Sequence, residues 1–210
     1  MPNRTLRRRR PDRPRRIALR VLRAVAEEGA YANLELAHAL EGAHLEPRDA
    51  AFVTELVAGT SRLAGTYDAI VASASGRRNL DPALAEVLRL GAHQLLSMRV
   101  PLHAAVGATV DLAAAEVGEK VAGLTNAVLR KVAAQDMDAW LAELARSQDA
   151  VGAMAVRTHH PRWIAEAYRD LLGDEAEVAL AANNVAPLTS LVIRPGLAQR
   201  NELGGEPTPY

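Results

Sequence analysis

Arginine is the residue type whose placement in this sequence implies chemistry. Residues 1–16 hold eight arginines, at 4, 7, 8, 9, 10, 13, 15 and 16, against one acid, Asp12. A guanidinium is a planar, permanently charged fork of donors that complements carboxylates and phosphates. Arg7, Arg8, Arg9 and Arg10 form an unbroken run. Beyond it, Arg16, Arg20 and Arg23 recur at helical spacing and fall within about 60° of one another on a helix. Arm and helix together predict one continuous basic surface suited to a polyanion backbone. The candidates for phosphate contact are Arg7, Arg8, Arg9, Arg10, Arg13, Arg15, Arg16, Arg20 and Arg23. Arg130 and Lys131, on the exposed side of a later helix, are secondary candidates. A solvated tail beside an ordinary helix exterior is the competing reading, since arginine outnumbers lysine 23 to 2 in the whole chain. No aromatic residue is interleaved with these arginines, so the run itself offers no platform for stacked bases.

Other chemistries find no support. The 210 residues include no cysteine, which excludes disulfides, cysteine-ligated zinc, iron–sulfur clusters and a cysteine nucleophile. His159 and His160 are adjacent and must point to different faces. His38, His44, His93 and His103 lack the i,i+4 spacing of zinc-binding helices. No glycine-rich phosphate loop or dinucleotide fingerprint is present, and no grouping of acids, bases and nucleophiles suggests catalysis. The chain itself is expected to hold neither cofactor nor metal and to catalyse nothing.

The charge is balanced overall, 25 basic against 25 acidic residues, but residues 1–16 carry a net +7 and the remainder a net −7. This describes a mildly acidic body with a basic arm. No segment approaches the roughly 18 apolar residues of a membrane helix, and the basic N-terminus lacks the apolar stretch of a signal peptide. A cytoplasmic protein without membrane contact is expected.

The elements that must position the arginines read as helices. Hydrophobic residues are 49% of the chain, aromatics only 3%, and alanine occurs 42 times, which suits close helix packing better than a sheet. Pro2, Pro11 and Pro14 predict a disordered arm over 1–14. From Arg15 a helix is expected, with Ile17, Ala18, Val21, Leu22 and Val25 as its apolar stripe. Further helices are expected over Tyr31–Leu40, Arg48–Leu63 and Gly65–Ala74, then from Asp81-Pro82, a capped start, to Pro101. Two more follow, marked by Val106, Val110, Ala113 and Val117 and by Leu124, Val128 and Val132. Residues 15–135 thus form a helical bundle. A helical connector over 136–186 follows, with helices at Met137–Ala145, Ala150–Val156, Pro161–Leu172 and Glu175–Ala182. Leu188 to Ile193 is the first strand signal, the start of a small α/β unit over 187–210 that the sequence does not complete.

Several segments, in order, carry a likeness. They are Arg48 to Arg62 (RDAAFVTELVAGTSR), Leu80-Asp-Pro82, Leu88 to Leu96 (LRLGAHQLL), Arg99 to Ala105 (RVPLHAA), Gly123 to Lys131 (GLTNAVLRK), His160 to Trp163 (HPRW) and Ala182 to Leu188 (ANNVAPL). Together they resemble the NusB-like RNA-binding domain at the front of the bacterial 16S rRNA (cytosine-5)-methyltransferases of the RsmB/Sun family. The resemblance implies a helical bundle, then a small α/β unit, then a C-terminal methyltransferase domain. That last domain binds S-adenosylmethionine and attacks cytosine through cysteines. This chain carries neither the cofactor loop nor a cysteine, so the resemblance implies that it corresponds to the N-terminal part without the catalytic domain. Its implied partner is RNA, 16S rRNA by the resemblance, and its implied role is to grip and orient that substrate. A free-standing NusB-type transcription antitermination factor and a helical protein-interaction module are the alternatives. Against the first stand the length beyond a NusB-sized bundle, the His160–Trp163 segment, and Arg130, where antitermination factors often carry an acid.

Overall fold

The computed structural model describes residues 12–77, 79–185 and 191–202. Among them, α-helices follow one another as α1 (Arg13–Glu28), α2 (Ala32–Glu41), α3 (Pro47–Arg62), α4 (Ala64–Ser75), α5 (Pro82–Leu96) and α6 (Leu102–Glu116). After them come α7 (Ala122–Val132), α8 (Met137–Ala145), α9 (Ala150–Arg157), α10 (Arg162–Leu172) and α11 (Ala176–Ala182). Short 3-10 turns stand at Glu119–Val121, Gly173–Glu175 and Arg200–Glu202. The mainly α expectation holds. Of the expected strand, residues 188–190 lie outside the described residues, and Leu191, Val192 and Ile193 form no strand.

α1 begins earlier than its apolar stripe suggests. Pro14 sits in the first turn, where a missing N–H costs nothing and φ is already helical. Asp12 caps it from an extended conformation, its carboxylate accepting from the Arg15 backbone N–H at 2.9 Å. The boundary between arm and helix therefore falls at Asp12. Gly29, at φ +67°, turns the chain out of α1 in a left-handed conformation that glycine adopts without strain.

Three apolar clusters hold the helices. The first joins α1, α2 and α3 to one face of α5 and α6, through Leu19, Val21, Leu56, Leu90 and Leu112. The second joins α4, α7 and α8 to other faces of α5 and α6, through Tyr67, Ile70, Leu88, Leu129 and Trp140. Fully burying side chains of this size stabilises by about 1.5–3 kcal/mol each. The third is smaller and unites α9, α10 and α11 around Met154, Ala165 and Leu180. α8 bridges bundle and connector: Trp140 packs in the second cluster and donates Nε1–H to the Val132 carbonyl at 2.9 Å, while α8 also packs on α9. A hydrogen bond of 3.0 Å between Thr66 Oγ1 and His159 Nδ1 adds a second link.

Candidate nucleic-acid interface

α1 lies across α3, α2 and α5, with Ile17, Ala18, Leu19, Val21 and Leu22 buried. That orientation forces the intervening arginines outward. Arg13, Arg16 and Arg20 are exposed, and Arg23 is half-buried. All four line a groove of about 560 Å³ whose other wall includes Glu35 of α2 and Glu116 at the end of α6. Arg16 donates Nε–H to Glu116 Oε1 at 2.9 Å, and Arg23 Nη1 stands 3.8 Å from Glu116 Oε2. Nε and Nη2 of Arg23 are buried without a hydrogen-bond partner. Glu28 also lines the groove, so four guanidinium groups face three carboxylates. The groove alone is only weakly cationic.

Arg15 departs from the expectation for it. Its side chain is 12% exposed and points inward. Nε–H donates to Gln94 Oε1 on α5 at 2.7 Å, Nη1 pairs with Asp12, and the guanidinium lies over the Phe52 ring, 4.9 Å from its centre. These contacts use its donors to fasten α1 to α3 and α5. Arg130 and Lys131 are exposed at the end of α7, with Arg130 Nε–H donating to Asn126 Oδ1 at 3.3 Å. α7 packs on α4, α5 and α6 in the second cluster, and neither residue lines the α1 groove. Arg7, Arg8, Arg9 and Arg10 lie outside the described residues. The structure thus brings together Arg13, Arg16, Arg20 and Arg23.

The carboxylates were not legible from the run of charge. Glu116 is 100 positions from Arg16, and nothing in the local sequence of either announces the pair.

A buried polar chain lies elsewhere. Tyr67 Oη is 2.8 Å from His93 Nδ1 and 2.7 Å from Ser97 Oγ. Burial pushes the phenol well above its usual range. It also pushes the His93 imidazole down, although Glu55 opposes this from 3.4 Å. Tyr67 and His93 are 0% and 1% exposed, so a substrate has no access and the chain serves as packing between α3, α4 and α5. Among the described residues no group of three or more His, Asp or Glu could hold a metal ion, and no helix is long and apolar enough to cross a membrane.

Comparison with known proteins adds to this geometry. Residues 12–134 match the model of the NusB family. The chain is 45% identical over 204 residues to a candidate methyltransferase of Mycobacterium tuberculosis, covering 93% of this chain and 45% of that protein. It is 35% identical over 176 residues to the ribosomal RNA small subunit methyltransferase B of Pseudomonas syringae, covering 83% and 37% of the two. With the protein of the same name from Thermus thermophilus the identity is 35% over 176 residues, covering 83% and 39%. The chain spans less than half the length of these relatives.

Proposed function

The chain belongs to the NusB family, and from that premise we propose that it binds RNA through the arginine face of α1 together with the arm before it. The observation that carries this reading is the convergence of Arg13, Arg16, Arg20 and Arg23 on one groove. Several guanidinium groups held on a rigid helix suit a phosphate backbone, which they grip without regard to sequence. The names of the relatives support small-subunit rRNA, 16S rRNA in bacteria, as the substrate. In this reading the chain is the rRNA-recognition part of an S-adenosylmethionine-dependent (cytosine-5)-methyltransferase, and its structural partner is the methyltransferase domain. The residues here do not fit the cofactor. The sequence has no glycine-rich turn from strand to helix to hold it, and no cysteine to attack the base, so methyl transfer is assigned to the part of the relatives that this chain does not span.

The test is a salt titration of binding to a labelled fragment of 16S rRNA, read by fluorescence anisotropy. If several phosphates are contacted, the logarithm of affinity falls linearly with the logarithm of salt, with a slope of about −0.7 per phosphate on a single strand. An affinity that ignores salt, or no binding at low salt, defeats the proposal.

A further inference from the structure

An exposed tyrosine stands in the sequence between two residues that line the arginine groove, Glu28 and Glu35. Tyr31 occupies the N-terminal cap position of α2 and is 76% exposed, and Leu34 beside it is 64% exposed. A tyrosine cannot cap as serine or aspartate would, and it makes no side-chain cap hydrogen bond here. The helix forgoes a favourable cap to carry a ring in solvent.

Tyr31 does not itself line the groove, but the chain holds its backbone close to residues that do. Tyr31 stands three residues after Glu28 and four before Glu35, and both of these line the groove. Ala24, another lining residue, accepts backbone hydrogen bonds from Gly29 and from Ala30, the latter at 3.2 Å. The Tyr31 carbonyl in turn accepts from the N–H groups of Leu34 and Glu35, each at 3.0 Å. Tyr31 therefore stands one helical turn before Glu35, at the start of α2.

Charge along α1 is polarised in the same direction. Arg13, Arg16, Arg20 and Arg23 come first and Glu28 last, with Arg20 and Glu28 roughly 12 Å apart at 1.5 Å per residue. Phosphates are favoured at the arginine end, where Glu116 offsets part of the charge of Arg16 and Arg23, and repelled at the other. Carboxylates at the Tyr31 end can accept from the exocyclic amino groups of bases. A base can lay its face on an exposed ring only when it is unpaired.

We propose that Tyr31 is a stacking platform for an unpaired nucleobase, and that the groove takes single-stranded RNA with phosphates on Arg13, Arg16 and Arg20. This rests on the RNA-binding reading above and adds the type of strand and the residue that distinguishes it.

The experiment uses the full 210-residue chain and two labelled probes, an unstructured single-stranded RNA and a duplex of equal length. Tyr31→Ala should weaken single-strand binding about five-fold or more, leave the salt slope unchanged and move duplex affinity less than two-fold. Tyr31→Trp should retain single-strand affinity, and its emission above the wild-type background should be quenched by the single strand and not by the duplex. Arg20→Ala should lower the salt slope by about one phosphate contact. Unfolding of each variant is followed by circular dichroism, and an exposed position predicts unchanged melting. If the wild type binds RNA and Tyr31→Ala binds the single strand equally well, or weakens both probes alike, the stacking platform is overturned while RNA binding stands. If the wild type binds neither probe at low salt, both readings fall.

Discussion

Arg15 and Gln94 share a hydrogen bond, Nε–H to Oε1 at 2.7 Å, across 79 positions of sequence. Gln94 is 0% exposed, and its amide group also donates to the Leu90 carbonyl at 3.0 Å and lies 3.3 Å from Thr109 Oγ1. The arginine therefore completes a buried polar group that α5 and α6 could not satisfy alone. Arg15→Ala should destabilise the fold by about 1–3 kcal/mol, whereas Arg20→Ala should stay within about 0.5 kcal/mol. Urea denaturation of the two variants side by side checks this, and equal stability would refute the inward role of Arg15.

Removing the arm separates binding from folding. Deletion of residues 1–11 leaves Asp12 to cap α1, and we expect a loss of RNA affinity of at least about ten-fold at moderate salt, as the release of several counterions implies. Deletion of residues 1–13 should show the same loss and also a fall in stability of about 0.5–2 kcal/mol, since the cap goes with it. Anisotropy and thermal melting on both truncations distinguish the effects; unchanged affinity in the first would remove the arm from the interface.

Glu116 holds Arg16 and Arg23, and in the proposed complex it would compete with phosphate for them. Glu116→Gln should therefore raise RNA affinity and steepen its salt dependence by about one contact. The Arg16–Glu116 pair is largely solvent-exposed on the arginine side, 59% against 24%, so the stability change should be below about 1 kcal/mol. A weaker complex would mean that Glu116 orients the arginines rather than competing for their charge.

Stability should depend on pH through two histidines. Burial lowers the imidazole of His93, faced by Glu55 and Arg62 from α3 and by Tyr67 from α4, and burial likewise lowers that of His159, bonded to Thr66. Their contribution is fully present above the unfolded value of about 6.5. As pH falls below that value the unfolded chain takes up protons first, and stability declines until the folded imidazoles titrate. Asp149, held at about 2 by Arg162, does not interfere in this window. Urea midpoints between pH 7.5 and 5 should fall for the wild type and fall less for His93→Gln. An identical slope would exclude His93.

Gly59 and His93 are fitted to each other. A Cβ at Gly59 would stand 2.1 Å from His93 Cε1, and both residues are buried between α3 and α5. Gly59→Ala should cost about 1–3 kcal/mol through overpacking, although it raises helix propensity. A gain in melting temperature would show that the imidazole has room to move.

Much of the fold could be read because its signals are local. Asp81-Pro82 announced α5, and the carboxylate of Asp81 accepts the Leu84 N–H at 3.2 Å. The apolar spacing of Ile17, Ala18, Val21 and Leu22 gave the buried face of α1. By that same spacing Arg15 lies one turn before Ala18 and Leu19, on the buried side of α1, although its charge groups it with the arginine run. Pro14 concealed the start of α1 because proline stops a helix only beyond the first turn. Glu116 was beyond reach, since tertiary packing alone brings it to Arg16.

α5 gives Val87 and Leu90 to one apolar cluster and Leu84, Leu88 and Ala92 to the other. Neither half of the bundle owns a complete interior. Fragments ending before or after this helix should therefore be molten when expressed alone and regain structure only when mixed. In the intact chain, amide protons in the middle of α5 should exchange with solvent only when the whole bundle opens, while those of α11 exchange by local fraying. An RNA that clamps α1 would slow exchange in helices it never touches, because α5 cannot release one half without the other.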